Sequence, residues 1–324
     1  IFYINIPIGI IATLLTLRYV KSPKYGEKMS ANQVDWYGII TLAGFIGSLQ
    51  YVLEHGQQDD WFNDGTIVTL SVISFFSLFF FIWRQLTYEF PIVNLKVLKD
   101  TNLRVGTILS FIMGFGLYGS TFIIPIYTQS ILGWTATDAG LLLIPSSLMT
   151  AFMMPIIGQL LQRGVPQKYL VAIGFLMFFF FTFWMYNIMT PDTGEEFMYW
   201  PLIIRGLGLG LLFVPITTLS LSTLKGKSIG EGAAFTGMMR QLGGSFGIAI
   251  ITTFIARFSQ EHRVNLIGNI DATKMQVQDR ISQLQHGFMA KGFSSNEALD
   301  KAHKIIDLSI TKQSTVLAYM DIFL

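Results

Sequence analysis

Apolar stretches recur along the whole chain, each about twenty residues long and separated by short polar breaks. The segments this pattern predicts are 1–19, 37–54, 66–84, 104–128, 138–161, 168–189, 198–223 and 232–257, with another beginning near 312. Their middles are apolar on every face rather than along one stripe, the pattern of helices solvated by lipid. The fold class expected is therefore all-α: a polytopic membrane helix bundle with about eight complete spans and a truncated ninth. The chain opens at Ile1 inside one apolar run and stops at Leu324 inside another. That is expected of a fragment of a longer protein.

The polar breaks alternate in charge. Arg18, Lys21, Lys24 and Lys28 fill the first, Arg84, Lys96, Lys99 and Arg104 the third, Arg163 and Lys168 the fifth, Lys225 and Lys227 the seventh. The second, fourth and sixth hold no Lys or Arg and carry Glu54, Asp59, Asp60, Asp64, Asp192, Glu195 and Glu196. By the positive-inside rule the odd connections face the cytoplasm. Trp36, Trp61, Trp83, Trp134, Trp184 and Trp200 all fall near predicted ends, where an indole prefers the headgroup region. A long connection over about 258–311 is expected on the extracytoplasmic side, and in it Ser294-Ser-Asn-Glu297 reads as a capped helix start.

Composition narrows the class. Charged residues make up 13% of the chain and apolar ones 52%, against about 25% charged in soluble domains. With no cysteine there is no disulfide and no thiolate metal site. His55, His262, His286 and His303 lie at segment edges or in the last connection without zinc-ligand spacing and read as solvated.

Chemistry inside the spans is sparse. Arg205 lies about two turns from an outer end and can snorkel. Arg240 lies near mid-span, where a cation costs roughly 2.5–3.5 kcal/mol; contact with an anionic group and helix-to-helix glue on backbone carbonyls are both open for it. Asp138 and Glu231 open helices and read as caps. Asp321 is the exception among the acids, as a proton carrier, a partner for a cation, or a shallow hydrated carboxylate. Gly106-xxx-Ser110-xxx-Gly114 and Gly243-xxx-Gly247 put small residues on one face and permit close helix contact. Arg205-Gly-Leu-Gly-Leu-Gly210 follows no strand and is not a dinucleotide loop. Pro125, Pro145, Pro155 and Pro215 fall within spans, where they bend helices.

Several of these residues together resemble the major facilitator superfamily, specifically its fourteen-helix drug:proton antiporters of the EmrB/QacA type. They are Ile1-Phe-Tyr-Ile-Asn-Ile-Pro-Ile-Gly9, Gly47-Ser-Leu-Gln-Tyr-Val-Leu-Glu-His-Gly56 with Asp60-Trp-Phe62, Pro125-Ile-Tyr-Thr-Gln129, Leu132-Gly-Trp-Thr-Ala136, Ala139-Gly-Leu-Leu-Leu-Ile-Pro145, Arg205–Gly210 with Pro215, and Arg240-Gln-Leu-Gly-Gly-Ser-Phe-Gly247. The resemblance covers essentially the whole chain and implies three parts. Residues 1–36 would end a first helix bundle and its cytoplasmic linker, 37–103 would be two inserted central helices with a linker, and 104–324 a C-terminal six-helix bundle with its last helix truncated. Gly158-Gln-Leu-Leu-Gln-Arg163-Gly164, reaching Lys168, is similar to the superfamily's cytoplasmic gating motif, except that Gln162 replaces its aspartate.

The resemblance implies a secondary transporter of the bacterial cytoplasmic (inner) membrane, without enzymatic activity or cofactor. It would export amphipathic compounds by alternating access, driven by the proton gradient. Its partners would be lipid, substrate and protons, together with a periplasmic adaptor and outer-membrane duct where the envelope has two membranes; no nucleic acid is expected. Tyr118, Phe122, Gln129, Phe213 and Met238 are the cavity candidates, and Arg205, Arg240, Gln241 and Asp321 the coupling or interhelical ones. Gly158, Arg163 and Lys168 are the gating-loop candidates. Because no span interior other than that of Asp321 holds a group that titrates near neutrality, the main proton site is expected outside these residues, with Arg240 and Asp321 as modulators. An exporter of one metabolite, lipid or siderophore gives the same pattern. A sensor or scaffold is the non-transporting alternative, and the spans hold no nucleophile–base pair or carboxylate cluster for an enzyme.

Overall fold

A computed structural model describes residues 5–20, 35–88, 91, 95–270 and 274–324. Lys21, Lys24, Lys28 and the first four residues of the opening motif lie outside the described residues. The helices are α1 (Asn5–Tyr19), α2 (Trp36–His55), α3 (Gly65–Thr87), α4 (Thr101–Ser130), α5 (Ala136–Gln162), α6 (Gln167–Ile188), α7 (Glu195–Leu221), α8 (Lys227–Asn269), α9 (Met275–Met289) and α10 (Ser295–Phe323). No strand occurs among the described residues. Seven of the helices, α2 to α8, are long and apolar enough to cross a membrane.

Helix starts follow local chemistry. Asp35, Asp64 and Asp100 cap α2, α3 and α4 by accepting backbone N–H bonds from Gly38, from Thr66 and Ile67, and from Leu103. The Ile67 N–H at Asp64 and the Leu103 N–H at Asp100 hold both carboxyls below the usual carboxylate range. Thr135 with Asp138, and Ser294 with Glu297, form reciprocal capping boxes. Gly164, at φ +86°, turns the chain out of α5 in a conformation that L side chains rarely adopt.

One difference from expectation reshapes the last third of the chain. The stretch expected as a connection over 258–311 is helical nearly throughout: α8 runs 43 residues without a break, α9 follows, and α10 begins at Ser295 rather than near 312. Positions 271–273 lie outside the described residues. At about 1.5 Å per residue, α8 is roughly 64 Å long, about twice a hydrocarbon core. Its second half therefore projects from the membrane and packs against α10.

Close packing is built on glycine. A Cβ on Gly114 of α4 would lie 2.0 Å from the Arg240 carbonyl oxygen of α8, and one on Gly243 would lie 2.0 Å from the Phe111 carbonyl oxygen of α4. The two backbones touch, and α4 with α8 is the most extensive pairing in the molecule. The Arg205–Gly210 run does the same for α7: Gly206 abuts the Ser146 carbonyl and Gly210 abuts Met153 of α5, while Gly208 faces the Gly174 carbonyl of α6. The α2–α3 hairpin leans on the core through α2 and α8.

The helix ends sort as the charges require. Asn102 bonds Ser222 (3.1 Å), which brings the Lys96–Lys99 connection to the end that holds Lys225. Tyr127 donates to the Thr190 carbonyl (2.6 Å) at the opposite, acidic end. The chain lacks cysteine, so single cysteines report sidedness directly. Asp60→Cys should react with an impermeant maleimide from outside intact cells, and Lys168→Cys only after permeabilisation. Labelling of both from one side would refute the topology.

Candidate functional site

Among the described residues one cation is deeply buried in the bundle. Arg205 on α7 is 4% exposed and reaches across to α4 and α5. Nε donates to Ser120 Oγ (2.8 Å), Nη1 to Ser146 Oγ (3.1 Å), and Nη2 to the Leu117 carbonyl (3.3 Å) and to Thr121 Oγ1. All four acceptors are neutral. The expectation that Arg205 snorkels is thus corrected: three hydroxyls and a carbonyl on two neighbouring helices hold it within the bundle.

Arg205 lines a cavity of about 230 Å³ between α4, α5 and α7, with Leu143, Thr150, Leu209 and Phe213 among its walls and Ser147 exposed at its rim. Phe213 joins this cavity to the second cation: the Arg240 guanidinium sits 4.5 Å from the centre of its ring. Arg240 is half-buried, and the contact of its backbone with Gly114 fixes where its side chain starts. Phe213, Arg205 and Arg240 are therefore brought together.

The other candidates lie elsewhere. Tyr118 packs on Gly244, and Phe122 packs on the apolar cluster around Ile123, Tyr127 and Phe181 towards the acidic end. Met238 is half-buried on α8, and Gln241 is exposed on the same helix. Gln129 is exposed at the outer end of α4, its amide bonded to the Pro125 carbonyl of its own helix (3.1 Å). Gly158, Arg163 and Lys168 flank the turn between α5 and α6, where both cations are exposed and Lys168 lies 5.0 Å from the Tyr169 ring centre.

Asp321 has a partner that the sequence does not suggest. Its Oδ2 lies 2.6 Å from His262 Nε2, with the two side chains 38% and 26% exposed. The pair ties α10 to the projecting half of α8, beside Ser259–Thr315 (3.1 Å) and Arg263–Asp307 (2.6 Å). The reading of His262 as a solvated histidine is corrected here; its partner lies 59 positions away, beyond the reach of any local pattern. Among the described residues no group of three or more His, Cys, Asp or Glu is placed to hold a metal.

Comparison with known proteins fits this arrangement. Residues 1–248 match the Major Facilitator Superfamily. The chain belongs to that family. It is 31% identical over its whole length to the fatty acid resistance protein FarB of Neisseria gonorrhoeae, covering 62% of that protein. It is 28% identical over its whole length to the multidrug export protein EmrB of Escherichia coli K12, covering 61%. Over 78% of its length it is 31% identical to multidrug resistance protein 3 of Bacillus subtilis, covering 48% of that protein. The chain spans about three-fifths of the first two relatives. It is a multi-pass protein of the bacterial inner membrane.

Proposed function

We propose that the protein exports amphipathic compounds by proton antiport, through alternating access. The observation that carries this reading is the cavity between α4, α5 and α7, largely apolar and walled by a buried, hydrogen-bonded cation. Two further features support it. Helices whose backbones touch through glycine move as one body, and rocking of whole bundles needs such a body. The relatives are named for fatty acid resistance and for multidrug export, and a fatty acid joins an apolar body to a polar end. In this reading residues 104–324 form the moving bundle and 37–103 an inserted pair. The projecting α8–α9–α10 helices offer the face that an extracytoplasmic adaptor would meet.

Full-length protein in proteoliposomes, with dye efflux driven by an imposed pH gradient, tests it directly. Absence of gradient-dependent flux for every amphipath tried would reject the reading. Within that assay Asp321→Asn should slow coupled efflux about two- to tenfold without abolishing it, because its half-exposed pair with His262 joins α8 to α10 and does not line the cavity between α4, α5 and α7. Complete loss of coupling with normal substrate binding would instead make Asp321 the principal proton carrier.

A further inference from the structure

The charge of Arg205 is not balanced within the described residues. A guanidinium has five N–H donors, and the four bonds above leave one N–H of Nη1 without a partner among the described residues. None of the three ion pairs in the described structure involves Arg205 or Arg240. The acids of α5, α7 and α8 that could approach, Asp138, Glu195, Glu196 and Glu231, all stand in the opening turns of their helices. A desolvated cation without a counter-charge raises the potential of the space beside it, and low local permittivity amplifies the effect.

The rest of the cavity says what this potential suits. Thr121, Ser147 and Thr150 direct their hydroxyl protons to the carbonyls of Leu117, Leu143, Ser146 and Gly206. Those side chains have no proton left to donate to a sugar or polyol. Beyond these the space offers the Arg205 donor set, the Ser146 hydroxyl that accepts from it, aliphatic walls and the Phe213 ring, which also contacts Arg240.

We propose that this cavity receives the anionic head, a carboxylate or a group of the same charge, of an amphipathic compound, with Arg205 as its anchor and Leu143, Leu209 and Phe213 against its apolar part. The proposal rests on the export reading above and names the substrate class for it. Nη1 supplies the free N–H, and the counter-charge that Arg205 lacks among the described residues comes with the ligand. A permanently cationic amphipath is disfavoured at the same place by both arginines.

The test compares three ligands of equal chain length on the purified full-length protein: dodecanoate, dodecanol and dodecyltrimethylammonium, by titration calorimetry at pH 8. Dodecanoate should bind about tenfold or more tighter than dodecanol, and the cation weakest. Arg205→Gln should leave dodecanol affinity within about threefold and remove the preference for the anion, while Arg205→Lys should keep part of it. Should Arg205→Gln fail to fold, Ser147→Trp at the exposed rim gives a second reading, because plugging the cavity must weaken dodecanoate by a similar factor. Equal affinity for dodecanoate and dodecanol in the unaltered protein overturns the proposal, as does an undiminished preference in Arg205→Gln or unchanged dodecanoate binding in Ser147→Trp. Binding of none of the three overturns the export reading as well.

Discussion

Gly114→Leu and Gly243→Leu are each expected to leave little folded protein, and even the alanine substitutions should be strongly destabilising. The atoms that a Cβ would meet first, the carbonyl oxygens of Arg240 and Phe111 at 2.0 Å, belong to backbone. A side chain can rotate away from such a contact; a helix can only move as a whole. Core overpacking typically costs about 1–3 kcal/mol when side chains absorb it, so alanine here should reach or exceed the upper end. Gly230 and Gly237 provide the control, since they lie on the same helix α8 and a Cβ added at either would meet open space. There alanine should be neutral or gain up to about 1 kcal/mol from helix propensity. Thermal unfolding in detergent, followed by tryptophan fluorescence, separates the two classes. Similar melting of all four alanine variants would show that the α4–α8 seam is not held by backbone contact. Function should fall with stability at Gly114, because displacing the Arg240 backbone moves its guanidinium off Phe213 and alters the cavity wall.

What the sequence makes legible is the membrane itself. Segments expected at 104–128, 138–161, 168–189 and 198–223 correspond to helices at 101–130, 136–162, 167–188 and 195–221, because hydrocarbon demands an apolar length and the caps mark the starts. Hydropathy registers lipid rather than helix, which is why the region after 257 departs from expectation. Ser259-Gln-Glu-His-Arg263 breaks the apolar run, yet these are residues that a helix accepts, and α8 passes straight through them. If α8 stopped early, His262 would have no helix to stand on and Asp321 no partner. Arg205 departs from expectation for a different reason. Its acceptors, Ser120, Thr121 and Ser146, lie 59 to 85 positions away and each resembles a hydroxyl bonded to its own helix. Small hydroxyls on the facing sides of two other spans are the available signal, but helix pairing is needed to bring them together. The glycine pattern suffers no such loss, since close approach is a property of the residue itself.

Asp35→Ala should destabilise the α2–α3 hairpin by about 2–3 kcal/mol, the loss of one N-cap plus a partly buried ion pair. The carboxylate is fully buried and accepts three bonds: the Gly38 N–H (3.0 Å), Arg84 Nε (3.0 Å) and Gln85 Nε2 (3.2 Å). It thus starts α2 and fastens it to the end of α3. The cost stays below that of a wholly buried pair because Arg84 is 29% exposed and retains the Tyr88 ring, 3.9 Å from its guanidinium carbon. Asp35→Asn keeps an acceptor for the cap and should lose about half as much. A double-mutant cycle with Arg84→Met isolates the ionic part, and a coupling energy near zero would show that Asp35 acts as a cap alone. The consequence for transport follows from where the hairpin sits. It meets the rest of the chain through α2 against α8, away from the cavity between α4, α5 and α7. Efflux per folded molecule should therefore survive Asp35→Ala while the melting temperature falls. A loss of flux at unchanged stability would instead make the hairpin part of the moving machinery, transmitting its position to the cavity through α8.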